Sequence, residues 1–357
     1  MKPDFTKKLL AWNSNQNQRS MPWKGEKDPY RIWLSEIILQ QTRVEQGWDY
    51  YLSFINAFPA VKDLATAPEA KVFKLWEGLG YYSRCRNLIA TAKLINEKYN
   101  GIFPSSYEAI INLKGIGPYT AAAIASFAFN LPYAVVDGNV LRVIARIYGI
   151  DKPVDSPQGR KLLNEIAGTL LDKRSPGIYN QAIMDFGAVI CKPKAPLCQN
   201  CFMKNCCVAF NQGLVDRLPV KEKKINKKTR WFYYYVVRYN TSVYIKERQD
   251  RDIWRHLNEF FLLERTERMK ESEIIMNETI KPFFEKYGAR VMAVSKLYSQ
   301  QLTHQTIRGQ FIEISCQKPA AMDEPFRKVA ARDLARHAFP KFITTYLQEK
   351  NVNLSQL

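Results

Sequence analysis

The sequence predicts a multidomain protein in which an all-α core is followed by a separate α+β domain. Up to about residue 207, apolar residues recur at three- and four-residue spacing, as they do on one face of a helix. A run of four cysteines ends this part, and β-branched and aromatic residues dominate after the basic stretch 221–230. The 357 residues suffice for two or three domains, each with its own core.

Prolines and glycines divide the first part into segments. We predict helices over 32–46, 72–79, 86–99, 120–129, 140–148 and 159–171. In the last part we predict strands over 231–238, 242–246, 290–298 and 306–315, with one helix over 271–287. Stretch 221–230 carries six Lys or Arg residues against one Glu, which indicates an exposed linker that either follows DNA or is a solvated hinge.

The charge of the chain indicates a polyanionic partner. Its 53 Lys and Arg residues against 34 Asp and Glu residues give a net charge of +19, and neutralised phosphates release their counterions. The first residues lack the apolar region of a secretion signal, and no apolar stretch approaches the length of about 18 residues that a membrane span needs. We therefore expect a cytoplasmic, DNA-associated protein.

Four cysteines follow the helical segments at the spacing C-x6-C-x2-C-x5-C; they are Cys191, Cys198, Cys201 and Cys207. The unequal gaps favour one [4Fe-4S] cluster over a structural zinc ion, which usually takes paired C-x2-C ligands. Disulfides are disfavoured because the expected compartment is reducing. Either Cys206 or Cys207 could reach the metal; the spacing favours Cys207. Cys206, Cys85 and Cys316 are expected to be free thiols.

Residues 113–119, Leu-Lys-Gly-Ile-Gly-Pro-Tyr, lie between two helical patterns. Gly115 and Gly117 permit a positive φ and close approach of the backbone, and Pro118 suits the start of a second helix. Backbone N–H groups at such a start can hold a phosphate. Alone, the pattern would indicate an ordinary tight turn. Roughly 70 residues before a four-cysteine run in a basic chain, it predicts a DNA-binding helix–hairpin–helix.

Two carboxylates are candidates for chemistry. Asp137 opens the predicted helix 140–148, where it is suited to be the N-cap, and the helix dipole and N–H donors would keep it ionised. Such a group could stabilise a developing sugar cation. Glu36 stands among apolar neighbours, and burial would raise its pKa and keep it a proton donor. The pattern alone, however, favours a solvated glutamate on a helix face.

Seven segments together resemble the helix–hairpin–helix DNA glycosylases of the endonuclease III superfamily, and among these most closely the MutY-type adenine DNA glycosylases. They are 21–24, 28–36, 39–42, 78–84, 113–119, 136–142 and the cysteine run. The resemblance implies a cluster-containing helical domain of residues 1–22 and 130–210 and a six-helix barrel domain with the hairpin over 23–129. It further implies a basic linker over 211–229 and a Nudix-like 8-oxoguanine recognition domain over 230–357.

The resemblance also implies a reaction, the excision of adenine mispaired with 8-oxoguanine or guanine in duplex DNA. Glu36 would protonate the adenine at N7, and Asp137 would stabilise the oxocarbenium-like sugar, with Tyr119 and Asn139 orienting the pair. Residues matching the adenine pocket are Arg19, Met21, Trp23, Leu39 and Gln181. Residues matching contacts to 8-oxoguanine or the DNA are Gln41, Tyr81, Thr303, His304, Gly115 and Gly117.

Tyr119 stands where bifunctional relatives place the lysine that forms a Schiff base, which implies a monofunctional enzyme that leaves an abasic site. The chain departs from the family at Lys114, where proline is frequent, at Thr303, where serine is frequent, and at 252–260, which replaces a glycine-rich stretch. Residues 229–357 lack the metal-binding run of Nudix hydrolases, so this domain should bind without hydrolysing nucleotides. We expect a monomer.

Two further enzyme classes and one binding class remain as alternatives. An endonuclease III-like enzyme is disfavoured by Tyr119, and both this enzyme and a thymine-mismatch glycosylase are disfavoured by the Nudix-like domain. A non-catalytic iron–sulfur DNA-binding protein is disfavoured by Glu36 and Asp137 in their motifs.

Overall fold

The computed structural model describes residues 2–222, 227–275, 277–278, 280–320 and 325–350, apart from the side chains of residues 2, 3, 282 and 283. Its contacts divide the chain into two units. We call Met1–Ala67 with Arg86–Lys224 the helical unit, and Pro68–Cys85 with Ile225–Leu357 the mixed unit. The finer division into a barrel domain, a cluster domain and a linker stays a prediction.

The α-helices of the described residues are α1 Lys2–Asn15, α2 Pro29–Leu39, α3 Val44–Ala57, α4 Val61–Thr66, α5 Glu69–Leu75, α6 Tyr82–Tyr99, α7 Tyr107–Ile111, α8 Pro118–Phe129, α9 Gly138–Tyr148, α10 Pro157–Leu170, α11 Pro176–Val189, α12 Val208–Asn211, α13 Glu271–Ile275, α14 Lys281–Tyr287 and α15 Lys341–Glu349. Short 3₁₀ helices cover Cys198–Asn200, Lys204–Cys206 and Ala331–Arg336.

Local sequence explains where these helices begin and end. Asp28 caps α2 by accepting a hydrogen bond from the backbone N–H of Tyr30 at 2.8 Å, and proline occupies the first turn. The predicted helix 32–46 is wrong at one point, because Gln41 has φ 60° and separates α2 from α3. Predicted helix 72–79 ends early, at Leu75, and Gly78 follows with φ 94°. The other four segments are confirmed to within a few residues.

The helical unit is packed so that two helix starts, the centre of a third helix and one face of a fourth meet. Helix α8 is rich in buried alanines, and these small side chains let it pack closely against α2 and α7. Helix α11 packs against α1, α8 and α9 around an apolar core that includes Phe5, Val143 and Phe186. The centre of α2, the first turns of α8 and α9, and one face of α11 therefore lie around the same region.

The strands of the mixed unit are β1 Lys228–Tyr239, β2 Ser242–Glu247, β3 Asn258–Glu259, β4 Phe261–Arg265, β5 Arg290–Val294, β6 Tyr298–Gln301, β7 Gln305–Ser315 and β8 Arg327–Ala330. They form a mixed sheet in the order β3-β2-β1-β7-β5, with β4 on β1, β6 on β7 and β8 on β2. The central pair β1 and β7 is parallel, from Lys228 opposite Gln305 to Arg238 opposite Ser315. The other pairs are antiparallel.

Three predictions for this unit need correction. The strand predicted over 290–298 is two strands, β5 and β6, that both pair with β7. The helix predicted over 271–287 is two short helices, α13 and α14. Strand β1 begins at Lys228, inside the predicted linker, of which residues 223–226 lie outside the described part.

The stretch 252–260, which replaces a glycine-rich family pattern, contains two residues whose backbone conformation favours glycine. Trp254 and His256 have φ 62° and 69°, in the left-handed region. The backbone N–H of His256 donates to the carbonyl of Arg248 at 2.8 Å, and its Nδ1 lies 2.8 Å from a carboxylate oxygen of Glu247. Trp254 is buried against Phe232. These contacts hold Trp254 and His256 in a backbone conformation that glycine adopts with less strain.

Within the described part of the chain, we find no helix with the length and apolar character needed to cross a membrane.

Candidate active site

A cavity of about 360 Å³ opens in the helical unit. The residues predicted to surround an adenine all line it: Arg19, Met21, Trp23, Leu39 and Gln181. The four predicted catalytic residues line it as well: Glu36, Tyr119, Asp137 and Asn139. Residues that lie up to 162 positions apart in the sequence, Arg19 and Gln181, thus line one cavity, whose size is suited to a small ligand.

Glu36 is buried, so the solvated glutamate that the pattern alone favours is wrong. It lies on α2, whose residues from Ile32 to Ile38 are all buried, and only 7% of its surface is exposed. Burial raises the pKa of its carboxyl to about 7. A hydrogen bond with Tyr119 acts to lower the pKa, and the carboxylate of Asp137 acts to raise it further. A large fraction of Glu36 therefore carries its proton near neutral pH.

Asp137 is the N-cap of α9, as predicted. Its Oδ1 accepts a hydrogen bond from the backbone N–H of Val140 at 2.7 Å, and its Oδ2 accepts one from Nδ2 of Asn139 at 2.7 Å. Burial raises the pKa of Asp137, and these two donors act in the opposite direction without cancelling the effect. The donors therefore offset part of the cost of burying this carboxylate, and its ionisation stays a prediction.

Tyr119 and Asn139 contact the two carboxylates. Tyr119 follows Pro118 at the start of α8; its hydroxyl lies 3.8 Å from Sδ of Met184, and burial raises its pKa, so it remains a neutral phenol. Asn139 is held at both ends of its amide, because its Oδ1 accepts from Nη2 of Arg142 at 2.9 Å.

Sequence reasoning gave no separate role to Arg142. It is buried, and it also donates to the backbone carbonyls of Gly187 at 2.7 Å and Cys191 at 2.9 Å. The sequence does contain a signal for such a role, because Arg142 is a charged residue on the apolar face of the strongly amphipathic α9.

The hairpin between α7 and α8 contains two glycines, and the backbone requires glycine at one of these positions. Gly115 has φ 80°, and an added Cβ would lie 2.7 Å from the Cβ of Asn87. Thr91 donates to the carbonyl of Lys114 at 2.8 Å and holds the turn in place. Gly117 has an ordinary extended backbone with φ −96° and open space at its Cβ, so the positive φ that glycine permits is not used there.

The four predicted cysteine ligands line one pocket of the helical unit together with apolar side chains such as Phe186, Ile190 and Met203. Cys206 does not line it. Burial raises the pKa of Cys198, Cys201 and Cys207, to about 11 for Cys201, so bare thiolates are disfavoured there. Over the described ranges, no three His, Cys, Asp or Glu side chains are grouped as ligands of a single ion.

The residues matched to 8-oxoguanine lie in both units. In the mixed unit, Tyr81 has φ 48° and is 43% exposed, and its hydroxyl is hydrogen-bonded to that of Thr303. His304 is exposed directly after Thr303. In the helical unit, Gln41 is exposed at the left-handed break between α2 and α3.

Residues 34–167 match the model of the HhH-GPD superfamily base excision DNA repair proteins. The chain is 34% identical over 308 residues to an adenine DNA glycosylase of Buchnera aphidicola, covering 85% of this chain and 84% of that one. It is 39% identical over 214 residues to the human adenine DNA glycosylase, covering 57% and 39% of the two chains.

Among solved structures, a thermostable thymine-DNA glycosylase matches with a TM-score of 0.55 and 30% identity, covering 59% of this chain and 97% of that one. That match indicates a shared fold over more than half of this chain. The chain belongs to the family of adenine DNA glycosylases, which are base excision DNA repair enzymes of the HhH-GPD superfamily.

Proposed function

We propose that this adenine DNA glycosylase excises adenine opposite 8-oxoguanine or guanine by acid-catalysed hydrolysis of the N-glycosidic bond. The observation that carries the proposal is the pairing, in one cavity, of a buried acid with a pKa of about 7 and a second carboxylate capped by N–H donors. One group is suited to give a proton and the other to face a cation.

The target adenine leaves the base stack and enters the cavity. Glu36 donates its proton to N7 of the base, which makes the base a neutral leaving group. Asp137 stabilises the positive charge that develops on the sugar, while Asn139 and the N–H of Val140 hold its carboxylate in place. Water then completes the hydrolysis and leaves an abasic site.

Tyr119 supports a monofunctional enzyme. Its neutral phenol cannot form a Schiff base with the sugar. Two lysines line the cavity, but Nζ of Lys24 is bound to Asp185 at 3.0 Å and Nζ of Lys27 donates to the carbonyl of Phe127 at 3.0 Å. Lys114 is exposed on the hairpin and does not line the cavity.

We also propose that Cys191, Cys198, Cys201 and Cys207 hold one [4Fe-4S] cluster. The four thiols surround a single apolar pocket in which thiolates need a compensating positive centre, and that donor set fits such a cluster. The cluster would supply a stable structural centre for a basic loop that contains Lys192, Lys194 and Lys204. Arg146 already supports this loop by donating to the carbonyl of Lys192 at 2.7 Å.

The two adjacent cysteines give a matched test of this ligand set. Cys206→Ser should keep the iron content and the brown visible absorbance of the purified protein, because Cys206 lies outside the pocket lining. Cys207→Ser should lose them or bleach rapidly in air. Equal loss in both variants, or loss in Cys206→Ser alone, would contradict the assignment.

For the mixed unit we propose a Nudix-like module that recognises 8-oxoguanine through Thr303 and His304, with Tyr81 and Gln41 inserted into the duplex. The shared hydrogen bond of Tyr81 and Thr303 supports a joint role for these two hydroxyls. We expect the enzyme to act as a monomer on duplex DNA.

The base opposite the adenine tests this part of the proposal. Single-turnover excision should be fast for adenine opposite 8-oxoguanine and guanine and much slower for adenine opposite cytosine, and thymine opposite guanine should not be removed. Thr303→Ala should lower the rate opposite 8-oxoguanine more than the rate opposite guanine, whereas Thr345→Ala, which changes a half-buried threonine of α15, should leave the ratio unchanged. Equal rates opposite 8-oxoguanine and cytosine would defeat the proposed recognition.

A further inference from the structure

A second carboxylate lies behind the cavity and takes no part in the chemistry proposed above. Asp185 on α11 is completely buried, with 0% of its surface exposed. Its two oxygens accept hydrogen bonds from four side chains: Nη1 of Arg19 at 2.8 Å, Nζ of Lys24 at 3.0 Å, Nε2 of Gln181 at 2.9 Å and Nδ2 of Asn17 at 2.8 Å. A buried carboxylate with four donors, two of them cationic, is a well-compensated charge.

Three of those donors line the cavity that we assign to the adenine: Arg19, Lys24 and Gln181. Lys24 also donates to the backbone carbonyl of Arg19 at 2.7 Å, so the two cations are fixed relative to each other. Asp185 itself does not line the cavity. Its influence on a bound base must therefore act through the side chains that it holds.

The contact with Gln181 determines which end of the amide faces the cavity. An amide has one donor end and one acceptor end, and a carboxylate can only accept. Asp185 must therefore take the NH₂ group of Gln181, which leaves the carbonyl oxygen Oε1 for the cavity side. Among the described residues, no protein donor reaches this oxygen.

We propose that Asp185 is a specificity-determining positioning residue that turns the amide of Gln181 so that the cavity offers an acceptor to the 6-amino group of adenine. Hypoxanthine carries an oxygen at the same position and would face Oε1 with a second acceptor. Unsubstituted purine carries no donor there. In both cases Oε1 of Gln181 has no donor opposite it, and a buried polar group without a partner disfavours binding of hypoxanthine and purine relative to adenine. The inference rests on the proposed excision of adenine.

Asp185→Asn tests the inference because the asparagine can place its own NH₂ donor against Gln181. The amide of Gln181 can then turn over and present NH₂ to the base. Single-turnover excision should be measured for adenine, purine and hypoxanthine, each opposite the same base. We expect the ratio of the adenine rate to the hypoxanthine rate to fall about tenfold or more. Asp151→Asn, an exposed acid of the same unit, should keep the ratio of the native enzyme.

A merely structural role for Asp185 would lower all three rates by one factor, and that result would overturn the inference. In the background of Gln181→Leu, which has no amide to turn, Asp185→Asn should cause no further loss of discrimination. If Asp185→Asn does not fold, Gln181→Leu alone decides, since native discrimination in that variant would also overturn the inference. Failure of the native enzyme to release adenine would instead count against the proposed function itself.

Discussion

Glu36→Gln should lower the single-turnover rate of adenine excision by about 100- to 10,000-fold while leaving binding of the mismatched duplex intact. Glutamine keeps the shape of the side chain but cannot donate a proton to N7 of the base. Glu45→Gln, an exposed acid on α3, is the matched control and should retain the native rate. A Glu36→Gln enzyme within tenfold of the native rate would remove Glu36 from the chemistry.

Glu36 also sets the pH dependence of the excision rate. Because burial raises the pKa of Glu36 to about 7, its proton-bearing form prevails below that pH and is lost as the pH rises through it. The rate should therefore fall on the alkaline side of pH 7, and this limb should vanish from the residual activity of Glu36→Gln. An alkaline limb unchanged in the variant would assign it to another group.

Measuring the stability of Glu36→Gln shows whether a lower rate comes from the missing proton donor or from unfolding of the variant. The folded pKa of Glu36 lies above its ordinary value of 4.5, so its contribution to stability is present below pH 4.5 and is lost as the pH rises through 7. The shift corresponds to roughly 3 kcal/mol. Glu36→Gln should accordingly gain stability relative to the native protein between pH 4.5 and pH 8 in urea unfolding.

Asp137→Asn should lower the excision rate by about 100- to 1,000-fold without disturbing α9. Asparagine is as good an N-cap as aspartate, so the hydrogen bond to the N–H of Val140 survives, while the negative charge and the hydrogen bond from Nδ2 of Asn139 are lost. Asp137→Ala removes the charge and the cap together and should also cost about 1 kcal/mol of stability.

Comparing excision rates and thermal unfolding of the two Asp137 variants separates charge from structure. A slow Asp137→Asn enzyme with a native melting curve is the expected result. An Asp137→Asn enzyme with near-native activity would show that the counter-charge is dispensable.

Much of the site could be predicted from sequence because its motifs are local. The carboxylate cap of α9 and the hairpin are each contained within a few residues, and the cysteine run spans 17 residues, so each pattern can be read without knowledge of the fold. Glu36 could not be assigned in this way: its burial depends on α8 packing against α2, which no local pattern shows. The resemblance to a family supplied that step.

The other features that could not be predicted from the sequence are likewise invisible in a local pattern. Gln41 breaks a helix whose apolar spacing continues through it, and the parallel pairing of β1 with β7 joins segments about 77 residues apart. Asp185 looks like an ordinary helix residue in the sequence. Its partners Arg19 and Lys24 lie more than 160 positions away, and only the folded chain brings them together.

The central claim is that this chain releases an intact adenine base and leaves the DNA strand whole. Chromatography of the reaction on a duplex with adenine opposite 8-oxoguanine should detect one free adenine per substrate strand, with strand breaks appearing only after alkali and no adduct trapped by borohydride. Strand breaks without alkali accompanied by a trapped adduct, or tight binding without any free adenine, would contradict the account.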